Sequence, residues 1–142
     1  MKRMVLVLVL CLLTLGMLGC SGKKNQEPAP TVPLGEDQEL IVRILQDEQL
    51  EFWNVAEAPA PGSQERFEML CQRCVPLGQL MARDTGLESL KTYGPDLIRE
   101  YLNSEDATER ANALTLADVI SFRIPEMKDT MDTLLRQHFM GQ

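Results

Sequence analysis

From Gln38 onward, apolar residues recur at intervals of three and four, the period of a helix with one buried face. Ile41, Ile44, Leu45, Phe52 and Val55 form the first stripe, with Asp47, Glu48 and Glu51 turned mostly away from it. Pro59-Ala60-Pro61-Gly62 ends that helix. Ser63 is the expected N-cap of the next, with Glu65 in its positive first turn and Phe67, Leu70, Cys71, Cys74 and Leu77 on its stripe. Pro76 must kink or end it, because it has no N–H to give to the carbonyl of Gln72. Gly86, Gly94 and Pro95 punctuate the following region and leave a short helix near Leu87–Tyr93. Pro95 then opens a helix carrying Leu97, Ile98, Tyr101 and Leu102. Ser104 caps the next, with Glu105 and Asp106 beside its positive end and Ala113, Leu114, Ala117 and Ile120 on its inner face. Pro125 opens the last helix, whose stripe is Met127, Met131, Leu134, Leu135 and His138. No segment alternates with period two, so the strand count is expected to be zero. Short connections make neighbouring helices antiparallel. The expected fold is all-α, with about five or six helices.

The first residues read differently. Lys2 and Arg3 precede an apolar run from Met4 to Leu18, broken only by Thr14 and Gly16. Fifteen residues are too few for a membrane span, which needs about 20, and suit the h-region of a signal peptide. The run ends Leu15-Gly16-Met17-Leu18-Gly19-Cys20, which resembles the lipobox of a bacterial lipoprotein signal, with Gly19 and Cys20 at the matching positions and Met17 where leucine is usual. The resemblance implies cleavage before Cys20, a diacylglyceryl thioether on its sulfur and acylation of the new amino group. Two or three acyl chains anchor stably where one would not. The implied division is a signal peptide over residues 1–19, a lipidated cysteine and flexible tether over 20–37, and a helical domain over 38–142.

Pro28, Pro30, Pro33, Gly22 and Gly35 mark the tether as an extended linker, with Lys23 and Lys24 at its membrane end. At ~3.1 Å per residue it holds the domain up to about 50 Å from the bilayer. In enterobacterial lipoproteins an aspartate after the lipidated cysteine favours the inner membrane. Ser21 there favours the periplasmic face of the outer membrane, if the organism has one. The formal charge of the chain is −7. An acidic surface repels phosphate backbones, so no nucleic-acid partner is expected.

Residues 95–135 carry a second resemblance. Pro95, Leu97, Leu102, Asp106, Arg110, Ala113 and Leu114 stand where a HEAT-type helical repeat places its leading proline, packing leucines, turn aspartate, arginine and Ala-Leu pair. The fold is then a short HEAT-like solenoid instead of a small antiparallel bundle, and both stay open at this point. The resemblance implies that Arg110 packs or pairs with the acidic turn, and that the exposed helical face binds protein.

The remaining chemistry is Cys71-Gln72-Arg73-Cys74. With Cys11 lost with the signal and Cys20 lipidated, these are the expected mature thiols. Three residues apart on a helix, they share a face and lie within disulfide reach, so Cys71 and Cys74 are a candidate bridge in an oxidising compartment. A thioredoxin-like redox pair needs its first cysteine at a helix N-terminus after a strand, whereas Cys71 is roughly two turns past Ser63. Covalent haem needs histidine after the second cysteine, and position 75 is Val. A soft-metal site would draw on Cys71, Cys74 and His138, with Met127 and Met131 nearby in sequence. No cofactor or catalytic residue is expected. Phe52 and Trp53 are adjacent and cannot both face the core, which makes Trp53 a candidate contact residue. The leading expectation is a non-enzymatic, membrane-anchored interaction module of the cell envelope. The alternative is a thiol-redox or soft-metal protein using the cysteine pair.

Overall fold

The computed structural model describes residues 35–50 and 58–141. Cys20, the tether lysines, Phe52, Trp53 and Val55 lie outside the described residues. Six α-helices account for most of what is described, and there is no strand among these residues. They are α1 (Glu36–Leu45), α2 (Gln64–Arg73), α3 (Val75–Met81), α4 (Asp84–Leu102), α5 (Ala107–Arg123) and α6 (Lys128–Met140), with a 3-10 turn, Pro125–Met127, before the last. The expected all-α fold is present.

The first helix is shorter than its apolar stripe suggests, ending at Leu45. The Asp47 carboxylate accepts the backbone N–H of Gln49 at 2.8 Å, a local bond that competes with helix continuation. Residues 48–50 form a 3-10 turn instead. Ser63 caps α2 as expected, its hydroxyl accepting the Arg66 N–H at 3.2 Å. Pro76 ends α2 outright. The backbone leaves the helix at Cys74 (φ −99°, ψ 98°), and α3 restarts with Pro76 in its first turn, where no N–H is needed.

The break expected at Gly94–Pro95 does not occur. One 19-residue helix runs through it, with Pro95 inside. An interior proline costs about 3 kcal/mol. Against that, Leu90, Gly94, Ile98 and Leu102, spaced four apart, are all buried, and Gly94 lies against Ile120 of α5. Burying a leucine or isoleucine contributes about 1.5–3 kcal/mol, so keeping the stripe continuous outweighs the lost hydrogen bond. The cap of α5 also differs from expectation. Asp106, not Ser104, accepts the first free amide, that of Thr108, at 2.7 Å. Ser104 lies just before it, where its hydroxyl accepts the Asp106 N–H and donates to Glu109. Arg110 donates to the Ser104 carbonyl at 2.6 Å, a bond to backbone and not to a carboxylate of the turn.

The helices close into a bundle. α5 packs against α1, α4 and α6, and α1 reaches α3, α4 and α5. Surrounded in this way, α5 buries Asn112, Ala113, Leu116, Ala117, Val119 and Ile120. Leu114, expected on its inner face, is instead 38% exposed. α2 joins through Phe67, whose ring meets Phe122 with centroids 5.9 Å apart and lies 4.8 Å under the Arg123 guanidinium, and through the Arg66–Asp118 ion pair at 3.2 Å.

Two positions test this packing. A Cβ on Gly86 would stand 2.1 Å from the Leu80 carbonyl oxygen, which is backbone and cannot swing away. Gly86→Ala, stabilising by about 1 kcal/mol on helix propensity alone, is therefore expected to destabilise by about 1–3 kcal/mol in urea unfolding. Asn112 is fully buried and donates its side-chain amide to the carbonyls of Leu45 (3.1 Å) and Asp47 (2.9 Å). Asn112→Ala removes the donor to the Leu45 carbonyl, while the Asp47 carbonyl keeps the Leu50 N–H at 3.1 Å, and is expected to cost about 1–3 kcal/mol, read as a lowered thermal midpoint.

Candidate functional site

The two cysteines stand where α2 hands over to α3. Cys71 is in the last turn of α2 and Cys74 is the junction residue itself. The turn is tight, since a Cβ on Gly78 of α3 would stand 2.9 Å from the Cys71 carbonyl oxygen. Cys74 has no exposed surface and belongs to the main core, while Cys71 is half-buried at its edge. Both are free thiols. The expected Cys71–Cys74 bridge is thus not formed. The helical register brings the two residues near each other, but Cys74 has turned into extended backbone and its thiol bonds the Asp47 carboxylate instead.

The electrostatics of both thiols disfavour the thiolate. Burial pushes Cys71 up, and the Arg123 guanidinium offsets this only in part. Burial pushes Cys74 up to about 12. The Leu77 backbone N–H opposes this, while the Asp47 carboxylate and the neighbouring Cys71 add to it. A nucleophilic or metal-binding cysteine needs the thiolate, and the environment here stabilises the protonated form. Cys74 therefore works as a small apolar core residue that accepts the Leu77 N–H and gives its own hydrogen bond to Asp47.

That bond belongs to a node around the end of α1. Asp47 receives the Cys74 thiol and the Gln49 amide on its side chain, and the Asn112 amide on its carbonyl. Gln46 adds a bond from its side-chain amide to the Tyr101 hydroxyl at 3.1 Å. The Asn112 Oδ1 has no partner among the described residues. No spacing in the sequence announces this node, because its members come from four elements.

His138 lies elsewhere. It lines a cleft of about 250 Å³ between the C-terminal ends of α4 and α6, with Arg99, Asn103 and Gln137, and stacks edge-on against Phe139 with centroids 5.1 Å apart. No cysteine borders that cleft. Met131 is fully buried in the core and Met127 packs at its margin. Among the described residues, no three His, Cys, Asp or Glu side chains are grouped to hold a metal ion. The structure does not bring the soft-metal ligands considered in the sequence together.

The surface offers a second feature. A groove of about 410 Å³ runs between α5 and α6. Leu114, Ala117, Phe122 and Leu135 supply its apolar lining, and Asp118, Lys128 and Asp132 its charges. Asp118 is engaged, accepting the Gly62 N–H at 3.2 Å and pairing with Arg66. Beyond the groove, Phe139 and Met140 are 60% and 82% exposed. The signal for this face was available in α6: Lys128, Asp132, Leu135 and Phe139 follow i, i+4, i+7, i+11, a stripe distinct from the buried Met131–Leu134 one.

No family model matches this sequence, no curated protein is significantly similar to it, and no solved structure matches it. Among the described residues, no helix is long and apolar enough to cross a membrane.

The raised Cys74 pKa predicts an alkaline weakening of the fold. Above the ordinary thiol value of 9.0 the unfolded chain sheds this proton, while the folded chain keeps it to about 12. The unfolded state then binds fewer protons, so stability contributed by this group falls as pH rises through that window, by up to about 1.4 kcal/mol per pH unit. Urea unfolding between pH 9 and 11 should show a steeper loss for the native chain than for Cys74→Ser, whose hydroxyl does not titrate there.

Proposed function

We propose that this chain is a lipid-anchored, non-enzymatic interaction module of the bacterial envelope, with Cys20 as the lipidated first residue of the mature protein and the α5–α6 groove as its contact face. The observation that carries the reading is that groove, in which Leu114 and Leu135 meet solvent beside the exposed Phe139 on an otherwise acidic domain. Contact faces of this kind combine an apolar centre with a charged rim. The N-terminal motif supports the anchor, since Gly19-Cys20 closes an apolar run too short to span a bilayer. The HEAT-like pattern over residues 95–135 supports the same role, because such helical pairs present exposed faces to proteins. Burial favours the protonated form of both thiols, Cys74 in the core and Cys71 at its edge, which makes the redox and soft-metal alternative the weaker one.

Two measurements test this. Metabolic labelling with an alkynyl fatty acid should mark the native chain and not Cys20→Ser, which should also leave the membrane fraction. A photo-crosslinking residue at position 114 should yield a protein adduct in intact cells, whereas one at position 43, on α1, should not. Equal labelling of the Cys20 variant would refute the anchor, and equal adducts at 114 and 43 would refute the groove.

A further inference from the structure

We propose that the occupant of the α5–α6 groove is a second copy of this chain, docked with the two α6 helices antiparallel about a twofold axis. The inference rests on the groove being a contact face and goes further in naming its partner. Lys128, Asp132, Leu135 and Phe139 lie within about 60° of one another around α6, at 100° per residue. The first three line the groove, so the exposed Phe139 ring continues the same stripe. Lys128 and Asp132 carry opposite charges one turn apart, and neither is held in an ion pair among the described residues. Lysine ahead of the acid is also the weaker orientation for a bond within one helix, which leaves both charges available to a partner.

This stripe is self-complementary. In an isologous interface each residue's partner finds that residue in return. If two α6 helices run antiparallel with Lys128 of one facing Asp132 of the second copy, the axis makes Asp132 of the first face Lys128 of the second. Both charges are then paired by one register. The same register carries Phe139, nine residues from the pairing centre, past the start of the opposite α6. That start is where Phe122 and Lys128 line the groove. The protruding ring of one copy is thus carried toward Phe122 at the end of the other copy's groove, and the reverse holds by symmetry. A partner surface that is only basic or only acidic would satisfy just one of the two charges.

Sedimentation velocity of the full chain in a non-ionic detergent, over a range of concentrations, reads the outcome. The native chain should sediment with two copies per particle, in a concentration-dependent manner. Lys128→Asp sets like charges face to face, as does Asp132→Lys in the opposite sense, and each should weaken association by about tenfold or more. The charge-swapped double variant should restore it, and an equimolar mixture of the two single variants should form mixed dimers. Both positions are on the surface side of α6, and unchanged circular-dichroism melting curves establish that the variants fold. A native chain monomeric at every concentration overturns the proposal, as does a dimer indifferent to the single variants or not rescued by the swap. A monomer that still gives a position-114 adduct of another mass in cells overturns only the second-copy assignment and leaves the contact face standing.

Discussion

Asn112 has no surface of its own, and its amide nitrogen serves two carbonyls that belong to a different part of the chain, those of Leu45 and Asp47. The last carbonyls of a helix have no partner within it. Buried without one, the Leu45 carbonyl would be expensive, at about 1–3 kcal/mol; the Asp47 carbonyl, just past the helix, also accepts the Leu50 N–H at 3.1 Å. By meeting that need from the middle of the domain, Asn112 settles where α1 stops and how it lies across α5. The 3-10 turn after it, the Gln46–Tyr101 bond and the thiol–carboxylate contact from Cys74 all follow from the end of α1 being held at that place. A leucine at 112 would pack but could not end a helix.

The same node decides the character of the cysteine pair. A CxxC pair on one helix face looks ready to bridge or to react. Its chemistry depends on the dielectric around each sulfur and on what each thiol bonds. Pro76 turns the backbone at Cys74 and carries that sulfur into the core, where Asp47 takes its proton as a hydrogen bond. Cys71 stays at the edge with Arg123 near enough to soften, and too weak to reverse, the effect of burial. The two residues of the motif therefore pack, one in the core and one at its edge, and the exposed apolar side chains Leu114 and Phe139 lie instead on α5 and α6.

Much of the architecture was legible in the sequence because it rests on local rules. The period of the apolar residues announced helices and no strands. Ser63 was readable as a cap and Pro125 as an opening turn, since a hydroxyl beside free amides and a ring that needs no N–H act within a few residues. The misread boundaries share one cause. At Gly94–Pro95 the local signal for a break was correct, and the long buried stripe of α4 overrode it. At Asp47 the stripe of α1 ran on, while a side-chain bond and a donor 65 residues away ended the helix. Leu114 was placed inside because α5, buried on several sides, has no clean polar face from which to judge its orientation.

By itself, then, the sequence determined the helical class of the domain, its approximate number of helices and the Ser63 cap. Those properties depend on groups within about four residues of one another, so their physics is complete in a short window of chain. Only the tertiary structure decided the thiol environment, the end of α1, the continuity of α4 and the side of α5 that stays open. Each of those depends on the dielectric or on a hydrogen-bond partner supplied by a distant element, and no short window of the sequence contains that element.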